Sequence, residues 1–216
     1  MLWGFAMKKV VFIVISIMLL ILFMVLSINV LNGNMDNWNN SVYEQITSWS
    51  NPTLTNFMII IDFVGKWYVY LAIALLFLAI PKSRKKIGIP ITFAIVSGAG
   101  LTHVLKQSFA ISRPDFYWLV SASGYGHPSG HITYGTAFIG ICVFLVLIYA
   151  KNRLLKIGVF VLSIFFMLLM GFNRIYLGVH TPTDVIAGYL IGTFVVIFSI
   201  FFFQKFGIVK MRRLVL

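Results

Sequence analysis

The sequence predicts an all-α polytopic membrane protein, a bundle of six transmembrane helices with both termini cytoplasmic and a short interfacial helix in the first outer loop. Three observations predict it. The chain has 216 residues, 60% hydrophobic and only 10% charged, with a mean hydropathy of +0.98, so no single soluble core can hide its apolar surface. Six apolar runs approach or exceed the roughly 20 residues that a spanning helix needs. The cations gather in alternate connections, as the positive-inside rule requires.

The first run, residues 10 to 31, is too long for a signal-peptide core and has no small-residue cleavage site after it, so it is read as a retained helix. The following loop, "NMDNWNNSVYEQITSWSNP", carries Met35, Trp38, Val42, Ile46 and Trp49 at helical spacing. That period fits a short helix lying in the interface, apolar face down, with tryptophans at headgroup level. The other spans are expected at residues 57 to 80, 87 to 107, 131 to 150, 156 to 174 and 184 to 203. Residues 1 to 216 read as one domain, without internal repeats, low-complexity tracts or room for a sizeable soluble domain. Cys142 is alone in an apolar run, so disulfides play no part.

A net charge of +12 would suggest nucleic acid in a soluble protein, but position changes its meaning here, and no nucleic acid is expected. Lys8 and Lys9, then Lys82, Arg84, Lys85 and Lys86, then Lys151, Arg153 and Lys156, then Lys205, Lys210, Arg212 and Arg213 all fall on one side, which is therefore cytoplasmic. The five acids, Asp36, Glu44, Asp62, Asp115 and Asp184, lie toward the other side. Four cations remain: Lys66, Lys106, Arg113 and Arg174, each near the outer end of a helix, where a charge is costly unless paired, hydrated or bound to an anion.

Three patches share that outer end: "KQSFAISRP", with Lys106 and Arg113; "PSGH", Pro128 to His131; and "NRIYLGVHTPTD", with Arg174, His180 and Asp184. Together they give three fixed cations, two histidines and a carboxylate, an inventory suited to cleaving a phosphate dianion. Phosphoryl transfer spreads negative charge over three oxygens and so calls for cations and N–H donors. Arginine adds bidentate geometry. The Pro-Ser-Gly turn is expected to aim the backbone N–H groups of Ser129 and Gly130, and the Ser129 hydroxyl, at the anion. A neutral imidazole oriented by a carboxylate is a good nucleophile, and His180 and Asp184 are four residues apart. Asp184, Gly188 and Gly192 share one helical stripe, so Asp184 should face the bundle interior.

As a set, "K-x6-RP", "PSGH" and "R-x5-H-x3-D" resemble the three-part signature of the type 2 phosphatidic acid phosphatase superfamily, in its membrane lipid phosphatase branch; the superfamily also contains soluble bacterial acid phosphatases and vanadium haloperoxidases. The motifs span about residues 100 to 190, and the six-helix layout extends the resemblance to the whole chain. It implies that His180 attacks phosphorus to form a phosphohistidine, that Asp184 fixes its tautomer and that His131 protonates the departing oxygen. It further implies that Lys106, Arg113, Ser129, Gly130 and Arg174 hold the phosphoryl group, with water completing the cycle and no metal or other cofactor. Asn173 stands where the family usually has serine, which puts that position's contribution in doubt.

Supporting places around the site fall to His103, His127 and Asn173. His127 and His131 are four apart, but Pro128 breaks the helical register and no acid or cysteine cluster completes a metal site. His103, three before Lys106, either orients the lysine, lines the pocket or simply packs. Asp62 and Lys66 form an internal ion pair or, more sharply, contact substrate. "RPDFYW" reads as a headgroup-level lip or as part of the aromatic belt. The expected partners are the bilayer and a lipid phosphate substrate, with no obligate protein partner evident. The resemblance offers undecaprenyl diphosphate, favoured here, phosphatidylglycerophosphate and phosphatidic acid. A phosphotransferase using the same phosphohistidine is one alternative. An anion transporter is another, but it calls for charges strung along a path through the bilayer.

Overall fold

The computed structural model describes residues 2–209, with side chains from Val10 onward; Lys210, Arg212 and Arg213 and the side chains of Lys8 and Lys9, five of the cations assigned to the cytoplasmic side, lie outside the described residues. The described residues form helices and connections and no strand. In order these are α1 (Leu2–Leu31), α2 (Asp36–Thr47), α3 (Pro52–Val64), α4 (Trp67–Ala79), α5 (Pro81–Ser83), a π turn (Arg84–Gly88), α6 (Ile89–Phe109), α7 (Gly130–Tyr149), α8 (Arg153–Tyr176) and α9 (Pro182–Lys205). Among the described residues five helical spans are long and apolar enough to cross a membrane, or six if the bent pair of α3 and α4 counts as one.

The expected single helix over residues 57 to 80 is corrected to two short helices meeting at 44°. Gly65 and Lys66 form the junction, but the stretches on either side are so apolar that windowed hydropathy reads them as one span. At the bend Lys66 adopts an extended backbone, ψ 141°, and its ammonium reaches back to Asp62 at 3.7 Å. Helix starts follow local chemistry elsewhere. The Asn51 side chain accepts from the Leu54 amide at 2.9 Å, with Pro52 in the first turn of α3. Thr181 and Asp184 close a capping box at the start of α9: the Thr181 hydroxyl accepts from the Asp184 amide at 3.2 Å, and the Asp184 carboxylate accepts from the Thr181 amide at 3.0 Å.

Helix α7 is central and packs against α6, α8 and α9. Gly188 and Gly192 permit the close α7–α9 approach. A Cβ on Gly188 would sit 2.8 Å from Ile132 Cβ, and one on Gly192 would sit 2.6 Å from Thr136 Cβ. Asp184, on the same stripe, is buried. By contrast α1 and α8 expose rows of large apolar residues, including Ile17, Leu22, Phe160, Leu162 and Phe165. In water such rows would drive association, whereas lipid covers them without cost.

Helix α2 exists where the periodicity placed a short helix, but its inward stripe carries Asn39 and Tyr43 beside Met35, Val42 and Ile46. Trp38 and Trp49 are exposed instead. The inward position goes to Asn39 because it serves α9: it donates to Thr183 Oγ1 at 3.1 Å and accepts from the Thr183 amide at 3.2 Å. Helices α6 and α8 end, and α7 and α9 begin, at one end of the bundle, while the basic connections at Pro81–Gly88 and Ala150–Asn152 lie at the other. All the motif residues sit at the end away from those connections.

Candidate active site

At that end a cavity of about 620 Å³ opens between the helices. Its walls include Lys106 from α6, Arg113 from the following loop, Gly130 and His131 from α7, Arg174 from α8 and His180 from the α8–α9 connection. Residues separated by up to 74 positions thus meet because α6, α7, α8 and α9 all present an end here.

His180 and Asp184 are both buried, and His180 Nδ1 lies 3.3 Å from the Asp184 carboxylate. A carboxylate accepts only, so Nδ1 carries the proton and Nε2 keeps its lone pair. Nε2 is 3.2 Å from an Arg113 guanidinium nitrogen, which donates to it and to the Val179 carbonyl at 2.8 Å. Burial pushes the His180 imidazole down to about 3; Asp184 opposes that shift and the charges of Arg174 and Arg113 add to it. The ring is therefore neutral at ordinary pH.

The cations are held by backbone carbonyls and one acid. Lys106 Nζ donates to the carbonyls of Tyr125 and Gly126. Arg113 also donates to the carbonyls of Ser123 and Gly124, clasping the loop before α7. Arg174, buried, pairs with buried Asp62, while its Nε has no hydrogen-bond partner among the described residues. Asp62 also faces Lys66 at 3.7 Å and His131 Nε2 at 3.8 Å. It is thus the anionic counterpart of the cationic wall. The sequence offered it as an ion pair with Lys66; an acid inside an apolar run was the available signal, but nothing in the run points to Arg174.

His131 turns Nδ1 toward the Tyr134 hydroxyl at 3.1 Å, and its buried Nε2 has no hydrogen-bond partner among the described residues. With the phenol donating, Nε2 bears the proton on the cavity side. Tyr134 was not singled out in the sequence, although its place three residues after His131 on one helix was the available signal. The Ser129 hydroxyl is likewise buried, without a partner among the described residues.

One expectation is corrected. The Ser129 amide does not point at an anion, because it donates to the Asp184 carbonyl at 3.0 Å and thereby ties α7 to α9. Asn173, whose contribution was in doubt, is buried outside the cavity lining, and its amide donates to the Met58 carbonyl at 2.6 Å, joining α8 to α3. His127 takes a supporting place, fully buried behind Asp184. His103 lines the exposed side of the cavity, while carbonyls, not His103, hold Lys106. Among the described residues no group of three or more His, Cys, Asp or Glu side chains is placed to hold a metal ion.

The chain is similar to known proteins in sequence and in fold. Undecaprenyl-diphosphatase of Sulfolobus acidocaldarius is 30% identical over 191 residues, covering 84% of this chain and 88% of that one. Phosphatidylglycerophosphatase B of Bacillus subtilis is 36% identical over 98 residues, 43% of this chain and 46% of that one. The crystal structure of a transmembrane PAP2 type phosphatidylglycerolphosphate phosphatase from Bacillus subtilis superposes with a TM-score of 0.82 over 91% of this chain and 98% of its own, at 22% identity, which shows a shared fold. The PAP2 superfamily profile matches residues 87–208, a segment that starts before α6 and contains Lys106, Arg113, His131, Arg174, His180 and Asp184. With more than half of its length inside that match, this chain belongs to the PAP2 superfamily.

Proposed function

We propose that the protein is a metal-independent phosphatase that hydrolyses a lipid phosphate or diphosphate through a phosphohistidine at His180, on the extracytoplasmic face of a cell membrane. One observation carries this reading: a single cavity joins a carboxylate-held neutral imidazole, a second imidazole and the cations Lys106, Arg113 and Arg174.

The His180 Nε2 lone pair attacks phosphorus as the bond to the leaving oxygen breaks, and His131 Nε2–H passes its proton to that oxygen. The cations, the Ser129 hydroxyl and the Gly130 amide take the charge that builds on the other phosphoryl oxygens. Asp184 stabilises the charged N-phosphoimidazole. Water then attacks phosphorus, His131 accepts its proton, and the electron pair of the P–N bond returns to Nε2 as inorganic phosphate leaves.

The position of the site away from the basic connections supports an extracytoplasmic face, which requires cytoplasmic termini. Exposed Trp67 on α4 and exposed Ala99 and His103 on α6 border the cavity, so a lipid tail can stay in the bilayer while its phosphate enters between these helices. In the same frame α2 lies along the outer interface. The name of the Sulfolobus relative, which matches most of both chains, favours undecaprenyl diphosphate; phosphatidylglycerophosphate and phosphatidic acid are the alternatives.

Purified protein in detergent should release inorganic phosphate from these lipids with EDTA present, with the highest kcat/KM on undecaprenyl diphosphate. Release from none of the three would contradict the proposal. In the same assay His131→Ala should lose about 10²- to 10⁴-fold on a lipid monophosphate. In kcat/KM, which reports only the steps up to loss of the leaving group, it should lose far less on p-nitrophenyl phosphate, whose phenolate departs without a proton. Equal losses on both substrates would remove His131 from the role of acid.

A further inference from the structure

We propose that His127 and Ser27 are positioning residues that clamp the Asp184 carboxylate from the side away from His180, so that helix α1 supports the nucleophile from outside the motif segment. The inference rests on the reading of His180 as nucleophile. His127 Nδ1 lies 3.0 Å from Asp184 Oδ1, and His127 Nε2 lies 2.9 Å from the Ser27 hydroxyl. Ser27 and His127 are each 0% exposed. The Ser27 hydroxyl is also 2.8 Å from the Phe23 carbonyl one turn earlier in α1. Phe23 stacks on the His127 ring at 5.8 Å and Phe109 meets its edge at 6.0 Å, so aromatic walls keep water from the clamp.

The two carboxylate oxygens then have separate duties. Oδ1 is taken by His127, and Oδ2 is shared between the Thr181 amide at 3.0 Å and His180 Nδ1 at 3.3 Å. A carboxylate turns easily about its Cβ–Cγ bond. Pinning Oδ1 holds Oδ2 toward the imidazole on which positive charge develops, so no reorganisation is needed during attack. The Ser27 hydroxyl has a single proton, which goes either to His127 Nε2 or to the Phe23 carbonyl; in the second case the hydroxyl accepts from Nε2–H. His127 does not line the substrate cavity, so the clamp should affect turnover and not substrate binding.

Two substitutions at one position separate positioning from packing. Asparagine places an amide N–H near the site of Nδ1 and keeps the donor to Asp184; glutamine reaches the site of Nε2 and keeps the link to Ser27. In purified protein assayed on the best lipid phosphate, His127→Gln should lower kcat about 10- to 100-fold with KM unchanged, and His127→Asn should recover most of that loss. Thermal unfolding confirms that the variants are folded. Equal kcat in the two variants, whether both intact or both impaired, or a change in KM alone, would overturn the proposal. Ser27→Ala removes one buried hydroxyl and should lower kcat several-fold; a parent-like value would overturn the role of α1 even if the His127 variants do not fold. Loss of turnover in His180→Ala tests the nucleophile separately, so an inactive His180→Ala beside a fully active His127→Gln condemns only the clamp.

Discussion

Replacing His180 with alanine is expected to lower phosphate release by roughly four to six orders of magnitude, the scale seen when a covalent nucleophile or its partner base is removed. The cavity should survive the change, because Lys106, Arg113 and Arg174 retain partners on other residues. Phosphate or vanadate should therefore still bind, and calorimetry on the variant can check it. The pH dependence has a definite sign. His180 titrates near 3 when folded and near 6.5 when unfolded, because burial disfavours the charged ring. Attack should show no acid limb from this group near pH 6.5. The stabilisation associated with it is present in full above 6.5 and is lost as pH falls toward 3, since the unfolded chain takes up a proton that the folded chain refuses. Rapid-quench kinetics and thermal unfolding across that range read the two effects independently.

The second large effect is expected at the buried Asp62–Arg174 pair. Asp62→Ala leaves the Arg174 guanidinium buried and uncompensated, which should cost about 3–5 kcal/mol of stability. Arg174→Ala should also remove a donor that faces the phosphoryl oxygens, with a loss of about 10²- to 10³-fold in kcat. The double substitution Asp62→Leu with Arg174→Leu separates the two roles. It should recover most of the stability, because no lone charge stays buried, while activity stays low. Recovery of both would mean that the pair is purely structural. Unfolding and phosphate release measured on the same three proteins decide it.

Much of this architecture is legible in the chain. Span positions follow from runs of apolar residues, and α7, α8 and α9 begin and end within a few residues of the expected limits. The start of α9 is written locally, as threonine and aspartate three apart around a proline. His180 and Asp184 are legible for the same reason, since their spacing is a single helical turn. The bend at residues 65 and 66 is signalled only by a glycine and a lysine inside the apolar run, while the hydropathy of the whole stretch stays high enough to read as one span. Ser27 was equally hidden: a serine in an apolar helix looks the same whether it bonds only its own backbone or meets a histidine a hundred residues away. The Ser129 amide shows the opposite failure. A motif suggested a donor for substrate, and a tertiary contact with the Asp184 carbonyl consumed it.

The cationic cavity alone would fit several anion-handling proteins; covalent attack by His180 is what distinguishes the proposed cycle. The most direct measurement is a rapid acid-free quench of the purified protein with a substrate radiolabelled in its terminal phosphate, followed by peptide mapping. The expected result is transient protein-bound label that is stable to alkali, labile to acid, located on His180 and absent from His180→Ala. Steady release of phosphate with no covalent label, or with label on any other residue, would contradict the mechanism.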